Sequence, residues 1–272
     1  MLSKTEEAEK KGRVSANRTH NIFVFHKLTN HLTFGSTNYS PGRFSRLVET
    51  IIEAGYRFVS LDESVESTDP MNVAITFDDG YAHLMQELPP LIEKFDLKPA
   101  VFIPTAFIGL KNSWDYSSVF KSERHLDESE IRDLAALGVR FGSHGHRHID
   151  LVGCSVITLQ DELTKSKEIL ENITERTIHD ISYPFGRYNQ TVLAEVTESG
   201  YKHAFTMNFP HQSDDQLKLG RIPIYFFETA SLAKEKLNSG RVRTIHKNVG
   251  RFINSLSYGT ILFNKLTGRD GD

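Results

Sequence analysis

Short runs rich in β-branched and aromatic residues alternate along this chain with longer stretches whose apolar positions recur every three or four residues. The run Asn-Ile-Phe-Val-Phe-His at 21–26 predicts a buried strand that ends in a histidine. Further strands are predicted at 56–61, 73–77, 100–104, 139–142, 181–183 and 203–207. Between them, Phe44, Leu47, Val48, Ile51 and Ile52 predict a helix over 41–54. Leu159, Leu163, Ile169, Leu170 and Ile173 predict another over 159–173. Gly138 and Gly200 read as stop signals for helices over 128–137 and 190–199. A helix over 84–95 is expected to be interrupted early by Pro89-Pro90, since proline deletes a helical hydrogen bond.

Strands alternating with helices at this rhythm imply parallel strands joined by helical crossovers. The chemically loaded residues His26, Asp78, Asp79, His144 and Pro184 each follow a predicted strand. That placement predicts an α/β fold, a (β/α) barrel of about seven parallel strands with its active site at the C-terminal strand ends. An open doubly wound sheet is the rival, but it gathers ligands at one crevice rather than from so many strands.

Two stretches carry the chemistry, Thr76-Phe77-Asp78-Asp79-Gly80 and Ser143-His144-Gly145-His146-Arg147-His148. Together they offer one carboxylate and two imidazoles as ligands for a metal, with a second carboxylate left for acid–base work. Three protein ligands with an open position suit a hydrolytic metal site. Histidines at i and i+4 can share one face of a helical turn. Adjacent aspartates on a strand point apart, but a turn at Gly80 can re-aim them. His146 projects away from its neighbours and reads as a rim residue. The lone cysteine, Cys154, reads as a small buried or half-buried side chain.

With these residues in view, the chain resembles the polysaccharide deacetylase family built on the NodB-homology domain. Thr76 to Gly80 keeps the family's first motif. His144 and His148 keep the histidine spacing of the second, with Gly145 in the Ser/Thr position. Pro184-Phe185-Gly186 keeps the end of the third, while Ser182 stands where the family has arginine. The histidine ending the first strand resembles the arrangement of poly-N-acetylglucosamine deacetylases.

The resemblance implies Asp79, His144 and His148 as metal ligands and Asp78 as general base. It implies His26 as general acid, in place of a C-terminal Leu-x-His that this chain lacks. Arg221 is the candidate to replace the missing arginine beside Asp78. Phe185 is expected to offer its backbone N–H to an oxyanion. Trp114, Pro184 and Tyr183 are expected at the substrate. The implied cofactor is a divalent ion, Zn²⁺ first, with Co²⁺, Ni²⁺ or Mn²⁺ as alternatives.

Composition narrows the partners. A net charge of −3 over 272 residues gives no support for nucleic-acid binding. The first residues lack the apolar stretch of a signal peptide, and no run reaches the ~18 apolar residues of a membrane span. The expectation is therefore a cytoplasmic protein with a flexible tail over 1–20 and a catalytic domain over 21–240. A basic amphipathic helix and tail over 241–272 could contact an anionic membrane surface or cover the barrel's own flank. The function expected is metal-dependent removal of an N-acetyl or similar acyl group from a sugar, oligosaccharide or lipid-linked glycan. A deacylase of non-sugar amides and a catalytically inactive glycan-binding barrel are the alternatives.

Overall fold

The computed structural model describes residues 20–30, 38–112, 123–210 and 215–237. The expected tail over 1–20 (save His20), Trp114 and the C-terminal segment over 241–272 lie outside the described residues. Eleven strands are described: β1 (Asn21–Phe25), β2 (Lys27–Leu28), β3 (Asn38–Tyr39), β4 (Arg57–Phe58), β5 (Asn72–Phe77), β6 (Ala100–Ile103), β7 (Arg140–Ser143), β8 (Asp180–Ser182), β9 (His203–Thr206), β10 (Leu219–Gly220) and β11 (Ile222–Pro223). β2 and β3 form a small separate pair.

The main sheet is parallel throughout and runs β10-β9-β8-β7-β6-β5-β1-β11, with β4 paired to the start of β5. Its two outermost strands, β10 and β11, are separated along the chain by Arg221 alone. The sheet therefore curls until both edges meet on one short segment, a nearly closed barrel. Closure hides the unpaired edges that an open sheet would expose.

Among the described residues seven α-helices cover the strands: α1 (Pro41–Glu53), α2 (Leu61–Glu66), α3 (Leu84–Phe95), α4 (Glu128–Ala136), α5 (Val156–Thr174), α6 (Gln190–Glu198) and α7 (Ala230–Glu235). Their starts are written in the sequence. Ser40, Ser60, Asp127, Ser155, Asn189 and Thr229 each accept a backbone N–H of the first turn. Asp127 and Glu130 complete a reciprocal capping box.

The two-residue period of a strand sorts side chains between the barrel interior and the helical layer. Phe23, Phe25, Val73, Ile75, Phe77 and Phe141 pack outward in the larger apolar cluster. Ile22, Ala74, Ala100, Phe102, Phe205 and Leu219 form a smaller inner one, joined by Leu61 and Val65 of α2. Gly142 makes room for Phe102, whose ring atoms would stand 2.6 Å from an added Cβ. On β5 the inward series is Ala74, Thr76 and, just past the strand, Asp78. The same alternation thus aims Asp78 into the mouth of the barrel.

Two expectations about local structure need correction. The strand expected over 56–61 pairs only at Arg57–Phe58, and the chain then enters α2 behind the Ser60 cap. The helix over 84–95 is continuous through Pro89 and Pro90. Its buried Leu84, Leu88 and Leu91 hold it against the sheet despite the bonds those prolines delete.

Candidate active site at the C-terminal ends of the strands

Asp79, His144 and His148 are buried, and one ligand atom of each lies within 4.8 Å of the others. The two histidine Nε2 atoms are 3.2 Å apart, and Asp79 Oδ1 stands 3.6 Å from each. Ligands held at ~2.0–2.1 Å in a tetrahedron are separated by roughly 3.3 Å. The triangle of donors therefore fits a small divalent cation. His144 Nδ1 donates to the carbonyl of Ser182 at 2.7 Å, which leaves the lone pair on Nε2, facing the other donors. Burial lowers the pKa of His144, against the opposing pull of Asp78. Burial, then neighbouring His144, holds His148 well below its ordinary value. Both rings are thus neutral at pH 7, the form that binds metal.

The histidines do not share a helical turn as their spacing suggested. Residues 144–148 form a loop in which Gly145 has φ +74 and His148 φ +55. Gly145, in the position that holds Ser or Thr in the family's motif, takes a backbone conformation that favours glycine. His146 turns away, its Nδ1 2.9 Å from the Thr105 hydroxyl.

Among the described residues five non-glycine residues have positive φ, and Asp96 and Glu175 among them merely close helices. The other three are Asp79, His148 and Phe185. Left-handed backbone at such residues costs roughly 1–3 kcal/mol each and collects at functional sites.

Asp78 lies beside the donor set and has a different partner. Arg221 donates from Nη1 to Asp78 Oδ1 and from Nη2 to Asp78 Oδ2, both at 2.7 Å. The guanidinium also reaches the hydroxyls of Thr76 at 3.2 Å and Ser182 at 2.7 Å. Ser182 in turn donates to Asp78 Oδ2 at 3.2 Å. Burial pushes the Asp78 carboxyl up, but Arg221 and His144 overcome it and hold the group well below the usual carboxylate range. Asp78 is therefore an ionised acceptor with a fixed orientation.

His26 follows β1 and is half-buried, with Nδ1 shielded and without a partner among the described residues. Burial lowers its pKa to about 4, against the attraction of Asp78. Phe185 sits in a short turn with φ +58, its ring edge-on to His148 at 4.8 Å between centroids.

Pro184 and Tyr183 do not present side chains to a ligand, contrary to expectation. Pro184 is buried against the Gly145 backbone. Tyr183 is fully buried, stacks on Tyr188 and donates its hydroxyl to Leu217 O at 3.0 Å. Both shape the loop that carries Phe185.

Two supporting residues were not singled out by sequence reasoning. His125 is fully buried and donates from Nδ1 to the Asp79 carbonyl at 2.7 Å, steadying that strained residue. No spacing in the sequence points to it. Glu162 did leave a signal: it interrupts the apolar stripe Leu159, Leu163, Leu170, Ile173 of α5 with a charge, yet is fully buried.

The sequence profile of the polysaccharide deacetylase family matches residues 66–204, just over half of the chain. The chain belongs to the polysaccharide deacetylase family. A protein of Bacillus subtilis (strain 168), YxkH, whose name places it among polysaccharide deacetylases, is 32% identical over 144 residues. That match covers 53% of this chain and 47% of the relative. The poly-beta-1,6-N-acetyl-D-glucosamine N-deacetylase of Staphylococcus aureus (strain MSSA476) is 23% identical over 145 residues, covering 50% of this chain and 48% of the relative. This chain thus spans about half the length of the curated relatives it matches. The fold is shared with Streptococcus pyogenes deacetylase PplD, solved with acetate, at a TM-score of 0.67 and 22% identity. That likeness covers 78% of this chain and 95% of PplD. IcaB from Ammonifex degensii gives 0.66 at 17%, covering 76% and 92%.

Proposed function

We propose that this polysaccharide deacetylase family member is a metal-dependent hydrolase that removes the N-acetyl, or a similar N-acyl, group from a sugar unit of a glycan. The observation that carries the reading is the division of labour between neighbouring aspartates. Asp79 converges with two neutral histidines, while Asp78 is paired with Arg221 and kept ionised.

A divalent ion held by Asp79, His144 and His148, with Zn²⁺ the first candidate, would supply Lewis acidity and a water of lowered pKa. Asp78 accepts a proton from water as the water oxygen attacks the acyl carbon. Arg221 keeps both carboxylate oxygens aimed, so little reorganisation accompanies that transfer. The backbone N–H of Phe185, on its strained turn, is assigned to the developing oxyanion.

When the carbon–nitrogen bond breaks, the leaving amine needs a proton, and His26 is assigned to deliver it. With a pKa of about 4, His26 rests neutral at pH 7, so it must gain that proton within the cycle. Asp78 is the weaker base of the two and supplies it, and the proton taken from water ends on the amine.

The S. aureus relative acts, by its name, on poly-beta-1,6-N-acetyl-D-glucosamine, and an N-acetylglucosamine polymer or its precursor is the first substrate to test. A cytoplasmic location, with substrate met during glycan assembly, belongs to the same proposal. Acetate release from a panel of N-acetylated sugars, glycans and non-sugar amides, with chelated and Zn²⁺-restored protein, tests the reading. Release from the sugars only when Zn²⁺ is restored is expected. Release from amides but not sugars overturns the substrate class, and undiminished release after chelation overturns the metal.

A further inference from the structure

We infer that Glu162 of α5 is a positioning residue for the metal-binding loop, setting the spacing of His144 and His148 from outside the barrel. This rests on the reading of Asp79, His144 and His148 as metal ligands. Glu162 is fully buried and touches none of them through an ion pair or hydrogen bond. Its Oε2 accepts the successive backbone N–H groups of His146 and Arg147, each at 2.9 Å, and its Oε1 accepts Arg147 Nε at 2.7 Å.

Two consecutive N–H groups converging on one oxygen form an anion-binding concavity. Here the anion is a side chain of the protein itself, and the two N–H groups it accepts lie between the two histidines in sequence. Only three residues separate His144 from His148, and the loop brings their Nε2 atoms to 3.2 Å. It does so through left-handed backbone at Gly145 and His148.

The remaining contacts anchor the loop elsewhere. Thr105 N and Ala106 N donate to the carbonyls of Gly145 and His146, at 3.3 and 2.8 Å. Gly145 N donates to Ser143 Oγ, which meets Ser166 of α5 at 2.7 Å. Glu162 is the group that takes the N–H pair facing α5, and without it both donors lose their acceptor. An added Cβ at Gly145 would stand 3.3 Å from Glu162 Oε2, so the carboxylate is packed directly beneath the loop.

The test uses the full chain, stripped with chelator and titrated with Zn²⁺ against a competing indicator, and Co²⁺ as a visible-spectrum probe of ligand geometry. Glu162→Ala should raise the Zn²⁺ Kd by about 10-fold or more, the scale for losing a group that orients metal ligands, and alter the Co²⁺ spectrum. Glu162→Gln should recover part of the affinity, because an amide oxygen can still accept both N–H groups. Asp180→Asn, which disturbs a buried carboxylate at the far end of the barrel, should lower thermal stability and leave both metal readouts at wild-type values.

Zn²⁺ affinity within about 2-fold of wild type in folded Glu162→Ala, with an unchanged Co²⁺ spectrum, overturns the proposal. Should Glu162→Ala not fold, Glu162→Leu, which fills the space but accepts no N–H, takes its place, and wild-type affinity and spectrum there overturn the proposal. Equal weakening by Asp180→Asn overturns it as well, by showing a general loss of stability. A wild-type chain that takes up no Zn²⁺ fails earlier, at the donor set itself, and removes the metal-site reading together with this one.

Discussion

Acidic side chains and histidine gather at both ends of this barrel, with opposite outcomes. At the N-terminal strand ends, Asp62, Asp180 and His203 bring ligand atoms as close together as the donor set at the other end does. There, however, Arg140 donates to Asp62 and to Asp180, the latter at 2.5 Å, and His203 donates to Asp180 at 2.8 Å. The chain supplies its own cation, and the cluster ties α2, β7, β8 and β9 together. At the C-terminal ends the guanidinium of Arg221, beside the donor set, is committed to Asp78. Proximity of carboxylates and imidazoles therefore does not define a metal site. The deciding feature is which carboxylate the nearest arginine neutralises.

The contrast breaks most visibly at its ligands. Asp79→Ala and His148→Ala should abolish metal uptake and acetate release, whereas Asp62→Asn should retain both. Metal analysis of the purified variants checks this, and stoichiometric metal in His148→Ala would end the assignment. Asp78→Asn comes next: metal retained, turnover down by at least ~10²-fold, the scale for losing a general base. His26→Ala should lose a similar amount, and near-normal turnover in either would move the proton chemistry elsewhere.

The arginines sharpen the comparison through stability. Arg221→Ala leaves Asp78 buried and unpaired, a loss of about 3–5 kcal/mol in denaturant unfolding. Arg140 is partly exposed and its loss should cost visibly less. Equal losses would show that the two clusters are buried alike.

A smaller effect appears with pH. His125 and His26 have folded pKa values of about 4, lowered chiefly by burial from an ordinary 6.5. Between those values the unfolded chain binds protons that the native fold refuses, so stability is full above about pH 6.5 and falls as the pH drops towards 4. Each histidine contributes on the order of 3 kcal/mol to that fall. Unfolding midpoints of His125→Gln should therefore depend less steeply on pH across this window. An unchanged slope would mean that His125 titrates normally. Least of all, His146→Ala should keep its metal and stay within about 2-fold of wild-type turnover.

Much of this was legible because it depends on spacing and parity. The apolar runs located the strands, and the residues just past them fell at one end of a parallel sheet. The pairing of Arg221 with Asp78 was likewise accessible as a charge following a strand-like segment, opposite a position that had lost its arginine to Ser182. Other features were hidden because tertiary packing overrides local preference. Two prolines within α3 are tolerated where a buried leucine face holds the helix in place. Tyr183 next to a functional turn gave no hint that its ring points into the protein. The hold of His125 on the Asp79 carbonyl joins residues 46 positions apart, and no local pattern encodes such a bond.

Closure of the sheet through Arg221 also bears on how the protein is made. Asp78 and Arg221 are 143 positions apart, and the segment carrying Arg221 is the last to join the sheet among the described strands. On a ribosome, β1 and β5 emerge early and can pair while the far edge of the barrel is still unsynthesised. A nascent chain at that stage holds a carboxylate inside an apolar mouth with no guanidinium to meet it. The arrival of this segment thus does two things at once: it seals the sheet and completes the groups assigned to proton transfer. Catalytic competence should consequently appear late and abruptly during refolding, together with the seam, rather than growing with the bulk of the secondary structure.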